Sequence, residues 1–177
     1  MTELANEYGT GLWELAAEEH LTDDLLEQLS TLKQCFAEDP DYLRLLSNRA
    51  LGKDERLSLL DEAFSGRVHP YLLSFLKLLC ERGALSEFAG CEAVYREHYN
   101  EFNGIQVAVV TSSRPLKADQ LTRLQHRLEE ISGHRVELKE KTDPQVLGGL
   151  LVEMDGKRYD NTVRSRLGDI SRMLTGA

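Results

Sequence analysis

Asn103-Gly104-Ile105-Gln106-Val107-Ala108-Val109 is the stretch on which the fold turns, because the hydrophobic period changes inside it. Ahead of it, apolar residues recur at the spacing of a helical face. From Ile105 onward, Ile105, Val107 and Val109 alternate with Gln106 and Ala108 in the two-residue period of a strand, and their β-branched side chains favour extended backbone. The reading is an α+β chain: an N-terminal six-helix bundle over residues 1–103, followed by a small β-α-β-β-β-α domain over 104–177.

Working back from the switch, Ser86-Glu87 opens the sixth helix, which carries Val94, Tyr95 and Tyr99. His69-Pro70 opens the fifth, ended by Gly83. The fourth begins near Lys53 with Leu57, Leu60 and Phe64 and stops at Gly66; a short third runs through Tyr42, Leu43, Leu45 and Leu46. Asp39-Pro40-Asp41 separates it from the second, for which Leu21-Thr22-Asp23-Asp24 offers N-caps. Leu4, Tyr8, Leu12 and Leu15 mark one face of the first.

Working forward, Leu121, Leu124, Leu128 and Ile131 restore the helical period, closed by Gly133. Val136 and Leu138 then face opposite to Arg135, Glu137 and Lys139 in a half-exposed strand. Leu150, Val152 and Met154 lead into Asp155-Gly156, a hairpin dipeptide whose two turn positions need positive φ. Asp160, Asn161 or Thr162 can cap a last helix bearing Val163, Leu167, Ile170 and Leu174.

With 177 residues, 41% hydrophobic and 29% charged, the chain can bury a sizeable core, which argues against a disordered tail or a disulfide-held scaffold. No apolar run approaches the ~20 residues of a bilayer span, so no membrane insertion is expected. Met1 to Asn6 carry no Lys or Arg, so neither a signal nor a transit peptide is expected. Three cysteines, Cys35, Cys80 and Cys91, read as reduced, buried thiols in a cytoplasmic protein. The net charge of −9 is uneven: residues 1–103 hold 20 acidic and 9 basic side chains, residues 104–177 hold 10 and 12. An acidic front half argues against a nucleic-acid partner. It fits two units with different partners, and equally an acidic surface that only aids solubility.

Catalytic signatures are missing. Gly52-Lys53 and Gly156-Lys157 lack both the upstream glycine and the following Ser or Thr of a phosphate-binding loop. Cys80, Cys91 and His98 match no zinc spacing, and helix-core and helix-surface positions explain all three. Asp155 and Asp160 are accounted for by a turn and a helix cap. No catalytic residue, metal or cofactor is therefore expected.

Surface made to be covered is the stronger signal. Between Tyr71 and Cys80 only Ser74 and Lys77 are polar, so apolar side chains encircle the fifth helix. Such a helix is either enclosed by its own bundle or open on one side as a groove for a partner's amphipathic helix. The first helix has an apolar arc of nearly half its circumference, with Gly9 on a ridge between Ala5 and Trp13 where close helix approach is possible. Gly9 and Gly11 each cost roughly 1 kcal/mol against alanine, which intimate packing could offset.

These residues also carry a family likeness. Tyr8-Gly9-Thr10-Gly11-Leu12-Trp13-Glu14-Leu15-Ala16 resembles the opening helix of the delta subunit family of bacterial ATP synthase, counterpart of the mitochondrial oligomycin sensitivity-conferring protein. Asp143-Pro144-Gln145-Val146-Leu147-Gly148-Gly149, the following Asp155, Gly156 and Asp160, and Val163-Arg164-Ser165-Arg166-Leu167 resemble that family's C-terminal signature, covering nearly all of the chain together with the first motif. Gly9 and Gly11 stand where the family usually has alanine, and Asn161-Thr162 where it has Gly-Ser. The resemblance implies a non-catalytic stator subunit, one copy per complex and a monomer when isolated, peripheral on the cytoplasmic face of the membrane. It implies that the N-terminal domain grips the N-terminal helix of an alpha subunit between its first and fifth helices. By position the contacts fall on Tyr8, Gly11, Leu12 and Leu15, and among Tyr71, Leu72, Phe75, Leu76 and Leu79. The C-terminal domain would bind the C-terminal end of the b subunit, with Asp143, Gly148, Gly149, Asp155, Gly156, Asp160, Arg164 and Leu167 mainly structural: Gly148-Gly149 would allow a bulge or a close backbone approach. The reading set against it is a free-standing helical adaptor that recruits an amphipathic peptide.

Overall fold

A computed structural model of the chain describes residues 2–48, 51–146 and 148–160. Two compact units are separated between Tyr99 and Asn100. The first contains α1 (Glu3–Glu18), α2 (Thr22–Glu38), α3 (Pro40–Ser47), α4 (Lys53–Phe64), α5 (Pro70–Arg82), a 3-10 turn (Leu85–Glu87) and most of α6 (Phe88–Phe102). The second contains β1 (Ile105–Ser112), α7 (Ala118–Ser132), β2 (Arg135–Thr142), β3 (Leu150–Met154) and β4 (Lys157–Asp160). Because α6 continues to Phe102, the division falls inside its last turn, four residues before the change of period at Gly104.

Local chemistry explains most helix ends. Thr2 Oγ1 accepts from the Ala5 amide at 3.2 Å to cap α1, and Asp39 accepts from Tyr42 to cap α3, with Pro40 at its first position. His69 Nδ1 accepts from the Tyr71 amide, Pro70 follows, and Gly83 at φ 66° ends α5 while Ala84 N–H reaches the Leu79 carbonyl. The start of α2 differs from the sequence reading. Leu21 stands at its N-cap without any side-chain bond, and Asp23 and Asp24 lie in the first turn, where carboxylates meet the positive end of the helix dipole. The Asp23 carboxylate accepts from the Tyr99 hydroxyl at 2.6 Å instead.

The core of the first unit runs through Leu12, Leu25, Leu29, Leu32, Leu46, Leu60, Leu72, Leu76, Leu79 and Tyr95. Against it α1 and α6 cross closely: a Cβ at Gly9 would stand 2.8 Å from the Cys91 carbonyl oxygen, and one at Gly90 would stand 2.9 Å from Ala5 Cβ. Gly9 is thus offset by packing. A Cβ at Gly11 would meet nothing within 4 Å, so that glycine must be explained otherwise. Glu92, 1% exposed, ties α6 to α2 by accepting from Lys33 at 2.5 Å and from Arg96, which also donates to Ser30 Oγ at 2.6 Å. Cys80 and Cys91 are buried, and burial pushes the Cys91 thiol up to about 11. Cys35 is exposed, contrary to the expectation of three buried thiols, because it lies on the solvent side of α2.

The second unit is a four-stranded sheet in the order β2-β1-β3-β4, with β1 and β2 parallel and the other neighbours antiparallel. Its buried cluster joins Ala108, Val110, Val136, Val152 and Met154 of the sheet to Leu128 of α7. The strand expected at Ile105 exists, but its small-residue side, Ala108 and Val110, is the buried one, while Val107 and Val109 are only half-buried. Ile131 of α7 is 57% exposed although it sits on that helix's apolar stripe. The last helix expected from Val163 to Leu174 lies outside the described residues.

Candidate functional site

Along the first unit α1 and α5 form the walls of an open groove of about 480 Å³, lined by Glu7, Tyr8, Gly11, Leu12 and Leu15 from one and Tyr71, Ser74, Phe75 and Leu78 from the other. The helical period places them there. On α1, Ala5, Leu12 and Ala16 turn into the core, and the next arc round the cylinder presents Tyr8, Gly11 and Leu15 to the groove. On α5, Leu72, Leu76 and Leu79 face the core, leaving Tyr71, Ser74 and Leu78 on the open side.

The apolar girdle of α5 therefore divides in two. Leu72, Leu76 and Leu79, all 0% exposed, are enclosed by the core and are not among the residues that line the groove. Tyr8, Gly11, Leu12, Leu15, Tyr71 and Phe75 are brought together along it. Leu78, 38% exposed, and the polar Glu7 and Ser74 were missed. Leu78 could have been found from the stripe Tyr71-Ser74-Leu78, which lies on the side of α5 opposite Leu76.

The wide apolar arc of α1 serves two neighbours. Trp13, on the far side from Gly11, packs in the first unit against Tyr95 (ring centroids 5.4 Å apart), His98 (6.2 Å) and Tyr99 (6.3 Å). Thr10 Oγ1 lies 3.1 Å from His98 Nε2 on the same side. Gly11 faces the groove, and the missing side chain keeps that wall low. With one ionisable carboxyl, two phenols and a hydroxyl among otherwise apolar walls, the groove suits an apolar helix face better than a polar small molecule.

The signature residues of the second unit hold turns. Asp143 Oδ1 accepts from the Gln145 amide at 2.9 Å, and its own N–H donates to the Ser112 carbonyl at 2.9 Å, joining the end of β2 to the end of β1. Gly148 and Gly149 have φ of 71° and 84° just before β3, so left-handed backbone, rather than a bulge, is what requires glycine there. Asp155 (φ 50°) and Gly156 (φ 67°) form the two-residue turn between β3 and β4, with Met154 opposite Lys157. Asp160 ends β4 opposite Leu151; Arg164 and Leu167 lie outside the described residues.

Comparison with known proteins agrees over almost the whole length. The family model described as ATP synthase delta (OSCP) subunit matches residues 4–174. Curated relatives named ATP synthase subunit delta include that of Gloeobacter violaceus, 32% identical over 178 residues (98% of this chain, 95% of the relative). Another, from Myxococcus xanthus, is 30% identical over 174 residues (97% and 96%). A chain of the cryo-EM structure of the Toxoplasma gondii mitochondrial ATP synthase hexamer superposes with a TM-score of 0.73 over 98% of both chains, at 16% identity, a likeness of fold. The chain belongs to the ATP synthase delta (OSCP) subunit family.

Proposed function

We propose that this chain is a non-catalytic peripheral-stalk subunit of a proton-translocating rotary ATP synthase, joining the catalytic head to the b-subunit stalk so that the head does not turn with the rotor. The first unit grips the N-terminal helix of an alpha subunit in the α1/α5 groove, and the second binds the C-terminal end of the b subunit. The protein contributes one copy per complex, is a monomer when isolated, uses no cofactor, and stands at the cytoplasmic face of the bacterial membrane, held by its partners.

The observation that carries this is the groove itself: an open trough with largely apolar walls on two helices that each turn another face into the core. A stator resists torque through every catalytic step, so its joints need slow dissociation, and apolar helix-in-groove burial gives long residence. The test is calorimetric titration of the full chain with a synthetic peptide of the N-terminal ~20 residues of the same organism's alpha subunit, a length suited to a groove-bound helix. One-to-one binding with a negative heat-capacity change is expected. No binding by a folded sample would overturn the assignment of the groove.

A further inference from the structure

Among the residues that line the groove the charged side chain is Glu7, on the α1 wall. Glu3, Glu7, Glu14 and Glu18 are all exposed, and at about 100° per residue they share an arc of roughly 60° on α1, beside the arc that presents Tyr8, Gly11 and Leu15. Glu7 is itself part of the groove wall. No Lys or Arg occurs between Glu3 and Glu18. None of the four glutamates has an ion pair or side-chain hydrogen bond to a described residue. Across the groove Tyr71, Ser74, Phe75 and Leu78 are uncharged; on α5 Lys77 is engaged with Asp61 at 2.6 Å and Glu81 with Lys53 at 3.3 Å, and the exposed Arg82 lies one turn beyond Leu78, outside the lining.

This arrangement works against the helix that carries it. Glu3 and Glu7, and again Glu14 and Glu18, are like charges one turn apart, which repel. Glu18 also meets the negative end of the helix dipole; only Glu3, in the first turn, is favoured by it. Charges that destabilise their own helix, lie unpaired and border an apolar groove are accounted for by an occupant of opposite sign.

Resting on the groove's assignment as a helix seat, we propose that the bound helix is cationic along the edge that faces α1, with Lys or Arg side chains set to reach Glu7 and Glu14. Those two stand about 10 Å apart along the α1 axis, two turns of helix, so the partner's basic residues recur at i and i+7 on a helix lying alongside. The apolar face fills the trough, and the charge pairs fix which way the helix is rotated in it.

The test uses the full chain and the alpha-subunit peptide named above, titrated at about 0.02 M and about 0.5 M salt, where screening differs several-fold. Three proteins are compared: the native chain, the Glu7→Gln/Glu14→Gln double variant and Leu78→Asp. Expected are a five- to ten-fold loss of affinity at low salt in the double variant, the scale of two rim ion pairs, a salt dependence in the native chain that the double variant lacks, and loss of binding in Leu78→Asp. If the double variant binds like the native chain at both salts while Leu78→Asp does not bind, the groove stands and the cationic edge is wrong. If the native chain does not bind, or Leu78→Asp binds unchanged, the groove assignment fails and this inference falls with it.

Discussion

Gly9 of α1 is in contact with Val94 of α6 so closely that a Cβ on it would stand 2.7 Å from the Val94 Cβ. The backbone carbonyl of Cys91 is 2.8 Å from the same point, so the clash has no flexible side-chain end to absorb it. Two residues on, Gly11 has open space. The same substitution at the two sites therefore has opposite signs. Gly9→Ala is expected to destabilise the first unit by about 1–3 kcal/mol, the scale of overpacking. Gly11→Ala is expected to stabilise it by up to about 1 kcal/mol through helix propensity. Denaturant midpoints at unchanged slope measure both, and equal effects would show that α1 and α6 do not cross here.

Leu76 and Leu78 separate core from groove on one helix. Leu76 is 0% exposed, so Leu76→Ala should cost about 2–5 kcal/mol of stability. Leu78→Asp removes an exposed leucine and should shift the thermal midpoint little while abolishing binding of the alpha-subunit peptide. A large loss of stability on Leu78→Asp would place that residue in the core instead.

A chain cut after Asn103 retains the whole of α6 and the complete buried cluster of the first unit. It is expected to fold cooperatively with the helical circular-dichroism spectrum of a bundle, and to bind the same peptide with the affinity of the full chain. A sample without a cooperative transition would mean that the first unit depends on residues beyond the cut.

Much of this architecture is legible in the sequence because its punctuation is chemical. Pro40, Pro70, Gly83 and Gly133 fix helix ends through missing donors or left-handed backbone, and Asp155-Gly156 fixes a hairpin the same way. Periodicity shows that α5 is apolar all round, but not which apolar residues are enclosed, since that depends on where α1, α2 and α4 lie. Leu72 and Leu78 look alike in sequence and differ by that placement alone. The same holds for β1: alternation identifies a strand, while the face that meets α7, that of Ala108 and Val110, is a tertiary fact. Tyr8, Gly11, Leu12 and Leu15 fall together on one wall of the groove because a motif of consecutive residues has one register on a helix.

Glu92 supplies a pH dependence with a definite sign. Burial raises its pKa, but hydrogen bonds from Lys33 and Arg96 and their charges outweigh this, leaving the carboxyl below its ordinary value of 4.5. A carboxyl with a depressed folded pKa adds stability that is fully present above the unfolded pKa and is lost as pH falls through the folded one. Glu92→Gln keeps the shape but removes the charge, so it should cost roughly 1–3 kcal/mol near neutral pH, the worth of charged hydrogen bonds. That cost should shrink as the pH is lowered below about 4.5 and the native carboxyl takes up its proton. Paired urea titrations of the two proteins at pH 7 and at successively lower pH measure the difference. A gap between them that stays constant down through the carboxylate range would show that Glu92 holds α2 to α6 by packing and not by its charge.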